Sequence, residues 1–224
     1  MERNIDMREV SDGKLYDLED MVRADCAGCA GCSACCKGMG SSIVLDPLDM
    51  HRLVSGTKTD AKTLLATVLE LNVVDGVILP NLKMKGSDES CSFLDAEGRC
   101  RIHSFRPGIC RIFPLGRLYE NGSFRYFLQV HECKKESRAK VKVKKWIDTP
   151  EAARYDAYIS KWHYFLKELS RVIKEGSDEQ AAKNASMYVL TIFYLTPFDP
   201  DREFYGQFEA RLQAACDGFG ISNS

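Results

Sequence analysis

No run in this 224-residue chain is long and apolar enough to cross a membrane: the most apolar segment, Met187 to Leu195, falls well short of the roughly 20 residues a spanning helix needs. The first residues, MERNIDMREVSDGK, are polar and contain no apolar h-region, so no secretory signal is expected. Charge of one sign is also missing. The chain has 31 basic and 32 acidic residues, a net of −1, so no global field draws it to nucleic acid. There is no Walker-type loop, no G-x-G-x-x-G after a strand, no H-E-x-x-H, no G-x-S-x-G, and no C-x3-C-x2-C run of the radical S-adenosylmethionine type. Internal repeats and low-complexity tracts are absent too. The expectation is a cytoplasmic protein with neither membrane nor nucleic acid as partner, and with no independent catalytic signature.

Cysteine is what the chain has in excess. Nine of its ten cysteines lie between positions 26 and 133, five of them in the run Cys26-Ala-Gly-Cys29-Ala-Gly-Cys32-Ser-Ala-Cys35-Cys36. In a reducing compartment such density reads as metal ligation rather than disulfide scaffolding. Thiols at every third position of a small-residue backbone can converge on one soft centre, zinc or an iron–sulfur cluster. Taken from Cys26, the run contains the C-x2-C-x2-C-x3-C spacing of bacterial ferredoxins, though Lys37 stands in place of their proline and there is no second copy. Taken from Cys29, it is C-x2-C-x2-C-C, and the remaining cysteines, Cys91, Cys100, Cys110 and Cys133, follow downstream.

The stretch from Cys91 to Pro114 reads C-x-F-L-x4-G-x-C-x-I-H-x2-R-P-x2-C-R-x-F-P. Together with the preceding C-x2-C-x2-C-C run it resembles the YkgJ-like cysteine-cluster proteins, a family described as chelating zinc or iron, over roughly residues 26 to 133. The cysteine arrangement is also similar to the metal-binding region of flagellin lysine N-methylases, which carry an iron–sulfur cluster and use S-adenosylmethionine. The first resemblance implies a ligand set drawn from Cys29, Cys32, Cys35, Cys36, Cys91, Cys100, Cys110 and Cys133, with Cys26 outside the family pattern. The second implies a protein-lysine N-methyltransferase acting on a protein substrate, with S-adenosylmethionine as a further cofactor.

Three functions remain open on this basis: a protein holding an iron–sulfur cluster (4Fe-4S) or zinc, a cluster-dependent methylase, and a structural zinc module that recruits a protein partner. The cysteine-only character and the ferredoxin-like spacing favour iron–sulfur. Arg106 and Arg111 flank Cys110 and can donate hydrogen bonds to thiolate or sulfide, supporting the cofactor from outside its ligand shell. His103 and His131 lie close to Cys100 and Cys133 and can replace a thiol as ligand; packing or surface roles stand beside that reading. The run Lys134 to Lys145, seven basic residues against one Glu, is either a solvated face or a docking strip for an acidic partner. Cys216 reads as a buried small hydrophobe.

The expected fold is α+β: a small, irregular, cysteine-rich lobe with hairpins over residues 1–149, and a helical lobe over 150–224 packed on it. Lys14 to Arg23 is expected to be helical. Asp46-Pro47 predicts a helix start with Asp46 as cap, and Thr59 to Leu71 a second helix. Asp75-Gly76 and Asn121-Gly122 predict hairpin turns within Val73–Lys85 and Leu118–Val130, and Cys91 to Ile102 predicts a third hairpin. Beyond Pro150, apolar residues at helical spacing from Tyr155 to Ile173 and from Phe204 to Phe219 predict two amphipathic helices, with Gly176 as a stop, Asp178 as the next cap, and a buried helix over Met187–Leu195.

Overall fold

The computed structural model of the chain describes residues 6–27, 32–135, 137–176 and 178–222. Cys29, and with it the middle of the cysteine run, lies outside the described residues. The fold is α+β. After a single turn, α1 (Met7–Val10), the chain forms β1 (Ser11–Tyr16) and β2 (Met21–Asp25), where a helix was expected. Burial alternates along β2, with Val22 and Ala24 inward and Met21 and Arg23 outward, which is the period of a strand. Both strands are completed from far along the chain: β1 joins β8 (Ser123–Gln129) and β7 (Leu115–Glu120) in a three-stranded sheet, and β2 pairs with β9 (Ala139–Lys142).

The predicted turns are present. Asp75-Gly76 connects β3 (Leu69–Val74) to β4 (Val77–Leu82), and Asn121-Gly122 connects β7 to β8. All four residues have positive φ, 51° and 91° at the first turn and 51° and 78° at the second, which is what a two-residue turn of right-handed twist demands. Helix α2 (Pro47–Thr57) begins in a reciprocal capping box: Asp46 accepts from the Asp49 amide, and Asp49 from the Asp46 amide. The expected second helix is shorter than its apolar period suggests. Helix α3 (Ala61–Thr67), capped by Asp60, stops before Leu69, which enters β3 and pairs with Leu82.

The carboxy-terminal helices are α6 (Ala152–Gly176), α7 (Glu179–Leu190, capped by Asp178) and α8 (Phe204–Phe219). The apolar stretch after Met187 continues α7 and then widens into a π turn, Thr191–Leu195; Met187 itself is exposed. Arg211 on α8 closes that end, donating to the carbonyls of Ile192, Thr196 and Pro197 that the helix leaves unpaired. One hydrophobic cluster crosses residue 150, joining Leu45, Leu53, Leu79 and Phe93 to Trp162, Phe193, Phe208 and Leu212. A second gathers Val22, Ala24, Leu115, Tyr126, Val143 and Ile147. Cys216 belongs to the first cluster, as expected of a small buried hydrophobe. Among the described residues, no helix is long and apolar enough to cross a membrane.

Candidate metal centre

Four short elements carry the cysteines. Ala34–Cys36 is a single 3-10 turn, with the Cys36 amide bonded to Ser33 O at 2.9 Å. The next residue, Lys37, forms an antiparallel bridge with Ser90, reinforced by Gly38 N to Glu89 O at 3.1 Å. Antiparallel register then sets Cys36 opposite Cys91. Cys91 ends β6 (Ser90–Cys91), which pairs with β5 (Met84–Lys85). In place of a regular third hairpin, the chain from Cys91 folds back through one bridge, Leu94 to Cys100, around Gly98 with φ of 73°. That return brings Cys100 to the same side.

Cys110 arrives on α4 (Gly108–Ile112). The Gly108 amide donates to the buried Asp49 carboxylate at 2.8 Å, and the Arg111 amide to Pro107 O at 2.9 Å. The helix is anchored downstream by Trp146, whose indole N–H donates to Ile112 O and Phe113 O at 3.2 Å. Asp49 was legible as a helix residue but not as the group that holds Cys110's helix. Asp46 and Asp49 form a buried pair with the Tyr158 hydroxyl, which donates to Asp46 Oδ1 at 2.9 Å and accepts from the Leu48 amide at 3.0 Å. Burial raises both carboxyls above the usual range, and Asp46 raises Asp49 further.

Cys35, Cys36, Cys91, Cys100 and Cys110 perturb one another electrostatically. The hydrogen bond from the Cys36 thiol brings Cys35 down to about 7, with the Arg106 cation helping, and the same bond pushes Cys36 up. Cys91, Cys100 and Cys110 are all raised, primarily by burial, and Cys110 further by Asp49. A metal bound by these thiols takes them as thiolates, so its binding releases their protons and strengthens as pH rises. Cys35 also faces a second group: with Cys26, Cys32 and Cys133 it lines a small cavity of about 20 Å³, closed by Phe113 and Pro114. Cys26, outside the family pattern, is buried and belongs to this wall.

Other expected site residues fall as follows. Arg106 remains beside the thiols, lowering the pKa of Cys35 and Cys100, and its Nη1 lies 3.0 Å from His103 Nε2. The Arg106 Nε is buried without a partner, a donor available to a charged centre. Arg111, expected to donate to thiolate or sulfide, instead donates to the carbonyls of Asp148, at 3.1 Å, and Ser104, at 2.9 Å. His103 and His131 are exposed. Among the described residues no three His, Cys, Asp or Glu side chains already meet at the spacing of a bound ion. The donor set nonetheless fits a soft metal in kind: thiols, partly buried, with an adjacent guanidinium and an unpaired donor.

No curated protein and no solved structure matches this chain. A family model does match, over residues 28–145, more than half of the chain, and those residues take in the run from Cys29 and the four downstream cysteines just described. On that match the chain belongs to the CxxCxxCC family, described as a putative zinc- or iron-chelating domain.

Proposed function

We propose that this metal-chelating protein holds an iron–sulfur cluster. The observation that carries the reading is the gathering of five thiols, Cys35, Cys36, Cys91, Cys100 and Cys110, in one electrostatic neighbourhood. A closed structural zinc site takes four ligands around a single ion, with metal to sulfur distances of about 2.3 Å. Five thiols, two of them adjacent in sequence, suit a larger centre that spreads its ligands and leaves some thiols as neighbours. Arg106 supports the same reading, because a thiolate-rich centre is anionic and its potential is set by nearby hydrogen-bond donors and charge. The roles assigned to the chain's own residues are to desolvate the site, to fix Cys36 against Cys91 through the Lys37–Ser90 bridge, and to hold Cys110 through Asp49.

The test is purification without oxygen, followed by iron, zinc and acid-labile sulfide determinations. A brown protein with sulfide and iron in comparable amounts is expected. Colourless protein with stoichiometric zinc and no sulfide would refute the cluster and leave a zinc module of the same family.

A further inference from the structure

A second concavity, of about 500 Å³, is lined in part by α4, through Arg111, and by none of the cysteines. Its walls come from α2 (Arg52), the turn Ser104–Phe105, α4 (Arg111), α5 (Val143–Ile147, through Lys144) and the segment from Asp148 to Pro150. We propose that this cleft is a binding site for a phosphorylated small molecule, with the phosphomonoester held by Arg52, Arg111 and Lys144.

Three observations carry the proposal. First, the walls hold three cations and one carboxylate. That carboxylate, Asp148, is 90% exposed and reaches Arg111 Nη1 only at 4.0 Å. Lys144 is paired with Glu19 at 2.5 Å, but Lys142 shares the same Glu19 at 2.9 Å, so the pairing leaves positive charge over. A phosphomonoester, with close to two negative charges at neutral pH, matches that excess. Second, Arg52 and Arg111 line the cleft, and each has one further guanidinium nitrogen, Arg52 Nη1 and Arg111 Nε, that is buried and has no hydrogen-bond partner, so the protein itself compensates their charge only in part. An anion in the cleft, bound at the accessible nitrogens of the same two side chains, supplies the missing counter-charge.

Third, Arg111 is 7% exposed and fixed by its two carbonyl bonds, so its guanidinium is already ordered beside the cleft and little side-chain entropy is lost when an anion binds. Arginines so held bind phosphate oxygens more strongly than mobile surface lysines. The volume also exceeds what inorganic phosphate fills and lies in the range of small-molecule sites, with Phe105 as apolar wall for the organic part. Phe105 is itself anchored, since its ring packs so closely on Gly56 that a Cβ there would approach within 2.6 Å.

The test is titration calorimetry on the metal-loaded full chain with adenosine 5′-monophosphate, adenosine and inorganic phosphate as probes. The nucleotide is expected to bind at least about tenfold tighter than adenosine and than free phosphate. Arg52→Gln and Lys144→Gln are each expected to weaken the nucleotide by about tenfold, while Lys183→Gln, at an exposed ion pair on α7, leaves it unchanged. Metal content is measured in each sample, so a failure of the metal reading shows separately. No saturable binding of any phosphate probe at millimolar concentration overturns the proposal. So does nucleotide binding that survives both Arg52→Gln and Lys144→Gln, or that is no tighter than binding of phosphate alone.

Discussion

Replacing Gly108 by alanine should damage both the fold and the metal site through a single added methyl group. Gly108 does not have positive φ, so alanine meets no backbone penalty there. The obstacle is steric: a Cβ would fall 2.1 Å from the Tyr155 hydroxyl oxygen and 3.3 Å from its Cζ. Tyr155 is 1% exposed, and its hydroxyl accepts from Arg117 Nη2 at 3.0 Å, so the ring has nowhere to retreat without losing that bond. If α4 moves instead, the Gly108 amide leaves the buried Asp49 carboxyl, a hydrogen bond worth about 0.5–1.5 kcal/mol. Overpacking costs typically about 1–3 kcal/mol, and one of the two hydrogen bonds is weakened as well, so the total is about 1.5–4.5 kcal/mol. For a chain of this size that corresponds to a melting point lower by roughly 5–15 °C. Because α4 carries Cys110, metal occupancy should fall with it. Urea unfolding and metal analysis of Gly108→Ala are compared with Gly218→Ala, whose Cβ meets nothing within 4 Å and which should be neutral or stabilising by up to about 1 kcal/mol. A Gly108→Ala protein within 0.5 kcal/mol of wild type, by about the resolution of such measurements, would refute the steric reasoning.

Three further outcomes are expected. Cys110→Ser and Cys216→Ser each place a hydroxyl among buried apolar groups and should each lose about 1–3 kcal/mol, yet only Cys110→Ser should lose metal; equal metal loss in both would place the site elsewhere. In the Cys26→Ala and Cys29→Ala pair, full metal in the first and loss in the second is expected from the family pattern, and matched loss would make the buried Cys26 wall a ligand wall. Asp156, lifted by burial to about 6 against the opposing Tyr126 hydroxyl at 2.6 Å, binds a proton in the folded state that the unfolded chain, at about 3.9, does not. Its contribution to stability is therefore complete below pH 4 and lost as pH rises toward about 6, by about 1–2 kcal/mol after allowing for partial exposure. Asp156→Asn should remove that slope between pH 4 and 6 in urea unfolding, and parallel curves for wild type and variant would show the carboxyl titrates normally.

Local chemistry was readable wherever it is complete in a few residues. Asp46-Pro47 with Asp49 carries its own capping box, and Asp75-Gly76 and Asn121-Gly122 carry the positive φ their turns require. Residues 14–23 misled because their apolar spacing is compatible with a helix, and what decides for strands is pairing with residues of β8 and β9, far along the chain. Thr59 to Leu71 misled for the same reason at its end: Leu69 has a cross-strand partner, Leu82, that no local window contains. The cysteines were individually visible as a donor set. Their grouping was not, because the opposition of Cys36 and Cys91 depends on one bridge between Lys37 and Ser90, and the place of Cys35 between two groups of thiols depends on a single 3-10 turn.

Helix α4 makes the point most sharply. Five residues cannot sustain a helix in water, since nucleation alone is unfavourable and no intact turn follows it. Its existence rests on groups outside it: Asp49 accepting at its first amide and Trp146 donating to its last carbonyls. Those partners come from α2 and α5, on either side in sequence. Adjacent residues on so short a helix diverge by about 100°, so Cys110 can face the thiols while Arg111 faces the cleft. The position of the thiol is thus set by a buried carboxylate and an indole rather than by the cysteine motif. A motif search finds the ligand, and only the fold accounts for where it points.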